Sequence, residues 1–192
     1  IESYKCSGTP ADCVKIAKHH ILKNKKIDLI VSGINHGSNS SISVLYSGTM
    51  SAAIEGAIEN IPSIGFSLCD YDPNAYLKHS KPFIKMVIEN ALKNGIPESI
   101  ALNVNIPSIS DEKIKGFKIC KQANAVWEEK FDKRIDPYGR EYFWMYGNLV
   151  NNDKGQDNDE WAIKNNYVSI VPCKFNLSSN KGTDYLKEKW KF

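Results

Sequence analysis

Several features that would assign a function directly are missing from this sequence. No run of about eighteen apolar residues could cross a membrane, and no charged start precedes an apolar stretch as in a signal peptide. The patterns G-x-x-x-x-G-K-[ST] and G-x-G-x-x-G are both absent, which argues against a nucleotide cofactor held by either loop. The absence of G-x-S-x-G argues against a serine hydrolase. We therefore expect a cytoplasmic protein with no membrane partner.

The sequence also has few cysteines and a small net charge. The five cysteines are scattered and include no C-x-x-C pair, which argues against a disulfide framework and a zinc knuckle. The net charge is only +3, so nucleic-acid binding would require a local concentration of basic residues. The tail at 174–192 comes nearest, and a solvated terminal surface explains its lysines equally well. No nucleic-acid partner is expected.

What is present indicates an α/β protein. A chain of 192 residues with 42% apolar content can form one sizeable core. Short apolar runs alternate with helical patterns in its first half, as in a layered α/β sheet. We predict a three-layer Rossmann-like core over residues 1–112. Residues 113–192 are predicted to add a β-hairpin, a return strand and a C-terminal tail packed on the same core.

Local patterns predict the individual elements. Thr9, Pro10 and Asp12 are typical of a helix start, with Thr9 as the cap. Aromatic residues crowd the second half, which suggests a hairpin that packs on another surface or chain. Strands are predicted at 28–31, 64–68, 100–106, 113–121, 140–146 and 167–172, helices at 50–60 and 73–93, and a short helix in the tail.

The first candidate site is a helix start. Ser47, Gly48 and Thr49 open the helix predicted at 50–60. Free amide hydrogens at a helix N-terminus, with two hydroxyls beside them, could hold the oxygens of a phosphate. Ordinary helix capping would explain the same residues.

The second candidate is the polar loop at 32–41, which follows the first predicted strand. Asn35 and Asn39 offer oxygens suited to magnesium, calcium or manganese, and amide donors suited to phosphate. Asparagine and glycine are also common turn formers, so a purely structural loop stays open. His36 could act as an acid or base, or support the metal ligands from behind.

Six segments closely resemble the signature of SurE 5'/3'-nucleotidases. The resemblance spans almost the whole chain, and the loop signature is long and specific in order. Its segments are VSGINxGxN (31–39), YSGT (46–49), AAxEG (52–56), GTPxDCV (8–14), LNVNIP (102–107) and YVSIxP (167–172).

The resemblance implies a metal-dependent phosphatase that converts nucleoside 5'- and 3'-monophosphates to nucleoside and phosphate, and in some members cleaves short polyphosphate. It implies a divalent cation (Mg, Mn or Ca) with Asn35 as a metal ligand. It likewise implies phosphate contacts from Asn39, Ser47, Gly48 and Thr49. It further implies a homodimer or homotetramer in which the hairpin and tail pack between subunits, although Asn176 stands where an acidic residue is expected.

One part of the family pattern is not found. The family's other metal ligands are two adjacent aspartates in an Asn-Asp-Asp-Gly turn and a serine in a later Ser-Gly loop, and neither element occurs in these 192 residues. Asp111 and Glu112 follow a different strand. Because magnesium-like ions usually require carboxylate ligands, we expect the chain as printed to be inactive or nearly so. The missing ligands could lie upstream, come from another chain, or be lost in a degenerate protein, and we expect the first.

Two other functions remain open from the sequence. The chain could be a phosphate-binding α/β module without catalysis, which metal-dependent turnover of a nucleotide would exclude. It could also bind nucleic acid through its aromatic hairpin and lysine-rich tail, which salt-insensitive binding, or none, would exclude.

Overall fold

A computed structural model describes residues 2–192 of the chain. Over these residues the protein forms a five-stranded sheet, a separate hairpin and five α-helices. The strands are β1 (Ile30–His36), β2 (Ser63–Cys69), β3 (Ile100–Pro107), β4 (Phe117–Ile119), β5 (Ala125–Ile135), β6 (Glu141–Asn151) and β7 (Val168–Lys174). The helices are α1 (Pro10–Ile16), α2 (Gly48–Ile58), α3 (Lys81–Asn94), α4 (Asp159–Lys164) and α5 (Asn180–Lys189).

The main sheet has the strand order β1-β2-β3-β7-β4. Strands β1, β2 and β3 run parallel, β7 runs antiparallel to β3, and β4 runs parallel to β7. The carboxyl ends of β1, β2 and β3 therefore lie at one edge of the sheet, where ligands of open α/β sheets usually bind.

Helices cover both faces of this sheet. On β2, Ile64, Phe66 and Leu68 pack with Val87 and Ala91 of α3 in one buried cluster. The alternate residues of the strand face α2, whose Met50, Ala53 and Ala57 form a second cluster with Val44 and Ala101. Because successive side chains of a strand point to opposite faces, the sheet has one layer of the core on each side. The predicted three-layer α/β fold is confirmed.

The predicted helix start at Thr9 is confirmed in detail. The Thr9 hydroxyl accepts a hydrogen bond from the Asp12 amide at 3.3 Å, and the Asp12 carboxylate accepts one from the Thr9 amide at 2.8 Å. This capping box satisfies two amides that would otherwise lack partners. Hydrogen bonding to Thr9 lowers the pKa of Asp12 below its ordinary value. After α1 the chain continues as a π-helical turn, Ala17–Ile21.

Only one of the strands predicted near the hairpin belongs to it: the strand predicted at 140–146 is confirmed as part of β6. Strand β6 pairs with β5 along their full length, from Ala125↔Asn151 to Ile135↔Glu141. The predicted strand at 113–121 is reduced to Phe117–Ile119 and joins the main sheet beside β7. The prediction missed β5 because both faces of that strand are exposed after Ala125. Without a buried face, its sequence lacks the alternation that identifies a strand.

Two other boundaries differ from the prediction. Strand β1 reaches His36, so half of the loop predicted at 32–41 is strand. The helix predicted at 73–93 begins later, at Lys81. Asp70 and Asp72 accept hydrogen bonds from amides two residues further on, which holds this segment in turns. The return strand and the helix in the tail are confirmed as β7 and α5. None of the helices formed by residues 2–192 is long and apolar enough to span a membrane.

Candidate phosphate and metal site

Asn35 lies near the carboxyl end of β1 with its carboxamide in a defined orientation. Its Nδ2 donates hydrogen bonds to the carbonyl oxygens of His36 at 3.1 Å and Gly37 at 2.9 Å. Because both partners are acceptors, the nitrogen must occupy this position. The Asn35 Oδ1 is therefore the atom that is free to act as a ligand for a hard cation.

His36 is oriented toward the neighbouring turn. Its Nδ1 lies 3.1 Å from the carbonyl oxygen of Asp72, which follows β2. Its backbone pairs with Leu68 at the end of β2. The ring is thereby held against the turn that follows the next strand, beside Asn35 in sequence. A supporting role for His36 behind the metal ligand stays a prediction.

Asn39 is anchored by three hydrogen bonds and is only 6% exposed. Its amide donates to Asn105 Oδ1 at 2.8 Å, and its Nδ2 donates to Ser67 Oγ at 2.7 Å. Its carbonyl oxygen accepts a hydrogen bond from Asn103 Nδ2 at 2.8 Å. The segment from Gly37 to Ser41, which we call the site loop, is thus bound to β2 and β3 through Asn39.

Ser47, Gly48 and Thr49 form the N-terminus of α2, as predicted. Ser47 is the N-cap, and its hydroxyl accepts a hydrogen bond from the Met50 amide at 3.0 Å. This leaves the amides of Gly48 and Thr49 as the donors at the first turn. The start of the helix macrodipole adds partial positive charge at the same place, which favours an anion.

The fold brings the helix start and the site loop together over β2. A Cβ built on Gly65 would lie 3.5 Å from Thr49 Cγ2, so Thr49 sits above Gly65. Ser67, which binds Asn39, is the next residue on that face, about 7 Å along the strand. Asn35 pairs with Ser67 across β1 and β2. Thr49 therefore lies over the middle of β2, and Asn39 and Asn35 lie beside Ser67, nearer its carboxyl end, although the three are distant in sequence.

Several residues behind the site were not predicted from the sequence. Asn103 and Asn105 lie in β3 with exposures of 1% and 0%, and the Asn105 Nδ2 donates to Asn103 Oδ1 at 3.0 Å. Their signal was available, because two asparagines alternate with apolar residues in a buried strand and must find hydrogen-bond partners there. Ser67, Asp159 and Glu160 gave no comparable signal in the sequence.

The residues present supply one ligand of a metal site rather than a whole site. Within residues 2–192, no three His, Cys, Asp or Glu side chains are grouped so that they could hold a metal ion together. Asn35 Oδ1 suits magnesium, manganese or calcium, but such ions take six or more oxygens and usually include carboxylates. The donor set of the described residues therefore does not fit a complete cation site.

Three of the five cysteines have thiols that burial keeps protonated. All five are free thiols. Burial raises the pKa of Cys69 to about 12 and the pKa values of Cys120 and Cys173 to about 11. These three thiols stay protonated at neutral pH and are poor nucleophiles and metal ligands.

Comparison with known proteins identifies relatives over nearly the whole chain. The model of the family described as Survival protein SurE matches residues 1–129. A protein named 5'-nucleotidase SurE from Cytophaga hutchinsonii is 61% identical over 192 residues, which make up 100% of this chain and 74% of that protein. Another of the same name from Flavobacterium psychrophilum is 57% identical over 180 residues, or 94% and 70% of the two chains. The crystal structure of the SurE protein from Aquifex aeolicus matches with a TM-score of 0.82 and 39% identity, covering 95% of this chain and 73% of that one.

Proposed function

We infer that this chain, which belongs to the SurE family and is a phosphoric monoester hydrolase, acts on nucleoside 5'- and 3'-monophosphates. The observation that carries the proposal is that Asn35, Asn39 and the start of α2 all lie along β2, the first two beside Ser67 and the last over Gly65. An asparagine oxygen for a cation and a helix start for an anion are the two features that binding of a metal-associated phosphate requires.

In this proposal the start of α2 binds the phosphate oxygens. The amides of Gly48 and Thr49 donate hydrogen bonds, and the hydroxyls of Ser47 and Thr49 add two further donors. Ser47 can donate its proton while its oxygen caps the Met50 amide at 3.0 Å. Because negative charge on these oxygens changes during phosphoryl transfer, fixed donors of this kind stabilise the transition state. The predicted phosphate contact of Asn39 stays a prediction. In the described structure its Nδ2 donates to Ser67 Oγ, which anchors the site loop beside these donors.

Metal dependence is part of the proposal, with Asn35 Oδ1 as one ligand. A bound divalent cation would neutralise phosphate charge and act as a Lewis acid. What the chain itself contributes is the orientation of Asn35, since Nδ2 is held by the carbonyls of His36 and Gly37. Cleavage of short polyphosphate at the same site is proposed as a secondary activity.

We also propose that the protein assembles as a homodimer or homotetramer through its hairpin. Strands β5 and β6 expose a set of large apolar side chains that the described residues do not cover. Contiguous apolar surface of this kind usually marks an interface. The exposed members include Phe131, Ile135, Tyr142, Phe143, Trp144 and Met145.

The direct test is phosphate release from nucleoside monophosphates, with and without Mn²⁺ or Mg²⁺. The chain as printed is compared with a longer chain that includes any residues its gene encodes before Ile1. We expect metal-dependent release that Asn35→Ala and Thr49→Val each reduce at least tenfold. The control is Ser51→Ala, which removes an exposed hydroxyl that binds only the Gly48 carbonyl of its own helix, at 2.7 Å. Phosphate binding without turnover in both chains would instead indicate a non-catalytic phosphate-binding module.

A further inference from the structure

The start of α4 contacts the site loop although the two are far apart in sequence. Asp159 has no exposed surface. Its Oδ2 accepts a hydrogen bond from the Ser41 amide at 2.8 Å, and its Oδ1 accepts hydrogen bonds from the Ala123 and Glu160 amides, each at 2.9 Å. One carboxylate thus ties the end of the site loop to the segment before the hairpin.

Glu160 makes a second contact to the same loop. The Ser40 hydroxyl donates a hydrogen bond to Glu160 Oε1. The Ser40 amide donates to Ser38 Oγ at 3.1 Å, and the Ser38 hydroxyl donates to Asn105 Oδ1 at 3.3 Å. Asn105 is the acceptor for the Asn39 amide. Glu160 is therefore connected to Asn39 through hydrogen bonds of Ser40, Ser38 and Asn105.

The backbone of the site loop needs this support. Ser41 has a φ of 53°, in the left-handed region that residues with a Cβ rarely adopt. A residue persists in such a conformation only when its surroundings hold it there. The surroundings of Ser41 do so from both sides: Asp159 binds its amide, and its hydroxyl lies 2.9 Å from the Ala123 carbonyl and accepts the Ala125 amide at 3.1 Å.

Capping of α4 accounts for only one contact of the two acidic side chains, the hydrogen bond from the Glu160 amide to Asp159 Oδ1. Asn158 is the N-cap of α4, and its Oδ1 accepts the Trp161 amide at 2.9 Å. Burial raises the pKa values of both Asp159 and Glu160, so keeping these carboxyl groups inside the protein has a cost in free energy. Their hydrogen bonds to the site loop offset part of this cost.

We propose that Asp159 and Glu160 are positioning residues of the phosphate site. They hold Ser40 and Ser41, and through them Asn39, in the conformation that accepts the ligand, without touching substrate themselves. The proposal rests on the proposed function only in naming the ligand as a phosphate. The anchoring itself concerns the conformation of the site loop and can be measured without any ligand.

The first experiment is amide hydrogen exchange of the folded chain, with variants Asp159→Asn, Glu160→Ala and Glu160→Gln. In Asp159→Asn the one remaining acceptor oxygen should stay with the Ala123 and Glu160 amides, so the NH2 group faces the Ser41 amide and cannot accept from it. We therefore expect the Ser41 amide to exchange at least about tenfold faster. Glu160→Ala should accelerate exchange at Asn39, Ser40 and Ser41. Glu160→Gln should resemble the wild type, because its amide oxygen still accepts the Ser40 hydroxyl.

The matched control is Asp153→Asn. Asp153 is a half-buried residue whose carboxylate accepts the Asn124 amide at 2.8 Å beside the same hairpin. We expect it to leave exchange in the site loop unchanged. If Asp159→Asn folds and its Ser41 amide exchanges at the wild-type rate, the role of Asp159 is disproved. If Asp159→Asn does not fold, Glu160→Ala decides, and unchanged exchange at Asn39 to Ser41 in that variant overturns the proposal.

The second experiment tests positioning of the ligand, with inorganic phosphate as the probe. We expect Glu160→Ala and Ser40→Ala each to weaken phosphate binding about threefold to tenfold, and the double variant no more than either alone, because both break one connection. Glu160→Gln should restore wild-type affinity. If the loss of binding free energy in the double variant equals the sum of the two single losses, Glu160 does not act through Ser40. If the wild type binds no phosphate, the proposed function fails, and the exchange experiment still decides the anchoring.

Discussion

Thr49, the last of the three residues at the start of α2, packs directly on Gly65 of β2. A Cβ built on Gly65 would lie 3.5 Å from Thr49 Cγ2 but only 2.5 Å from Met50 Sδ, and Met50 is fully buried. We therefore expect Gly65→Ala to displace the first turn of α2. Overpacking of this kind should lower the free energy of unfolding by about 1–3 kcal/mol, measured by urea denaturation. The same variant should weaken phosphate binding.

The other end of α2 provides a control for that prediction. A Cβ built on Gly56 would lie 2.0 Å from Ser63 Oγ and 2.8 Å from Ile30 Cδ1, so Gly56→Ala should destabilise the protein by a similar amount. Gly56 lies two turns from the phosphate donors, and its substitution should leave phosphate affinity within about twofold of the wild type. Equal losses of affinity in both glycine variants would contradict a phosphate site at the start of α2.

Capping and phosphate binding can be separated at Ser47 and Thr49. Ser47→Ala removes the N-cap hydrogen bond to the Met50 amide and should reduce the free energy of unfolding by about 1 kcal/mol. Thr49→Val keeps the shape of the side chain and should change stability by less than about 0.5 kcal/mol. Its loss of one donor should nevertheless weaken phosphate binding, as titration calorimetry can measure. A Thr49→Val protein with wild-type affinity would exclude that hydroxyl from the site.

Two buried serines at the same level of the sheet should respond in opposite ways. Ser67 accepts the Asn39 Nδ2 at 2.7 Å, so Ser67→Ala leaves a buried amide without a partner and should cost about 1–3 kcal/mol. Ser169, which pairs with Asn105 across β3 and β7, is fully buried, and its hydroxyl has no hydrogen-bond partner among residues 2–192. Ser169→Ala should therefore be neutral or stabilising. A thermal shift assay of the two variants checks both expectations, and a large loss in Ser169→Ala would reveal a partner for that hydroxyl.

Glu160 should make stability depend on pH. Burial raises its pKa above the ordinary value of 4.5, so the folded protein holds this proton more tightly than the unfolded chain. The resulting stabilisation is complete below about pH 4.5 and is lost as the pH rises through the folded-state pKa. Glu160→Gln cannot ionise. The Tm of the wild type minus that of Glu160→Gln should therefore fall between pH 4.5 and neutrality, and a constant or rising difference would contradict the burial of this carboxyl group.

Part of the site could be predicted from the sequence because its signals are local. The cap at Ser47 and the helix that follows it are encoded within a few residues, as is the capping box of Thr9 and Asp12. The family resemblance added roles for Asn35 and Asn39 that their residue types alone did not decide. The direction of the Asn35 carboxamide was not predictable, since it depends on where the carbonyls of His36 and Gly37 point.

The sequence by itself determined the starts of α1 and α2, the parallel strands at the centre of the sheet and the α/β class, because capping and hydrophobic periodicity act over short distances along the chain. Only the tertiary structure decided that β5 is the partner of β6, that Ser67 holds Asn39, and that Asp159 binds the Ser41 amide. These contacts join segments that have no common pattern in the sequence. Hydrogen bonds between buried polar groups form wherever the folded backbone places a donor beside an acceptor, and that placement is fixed only when the whole sheet has assembled.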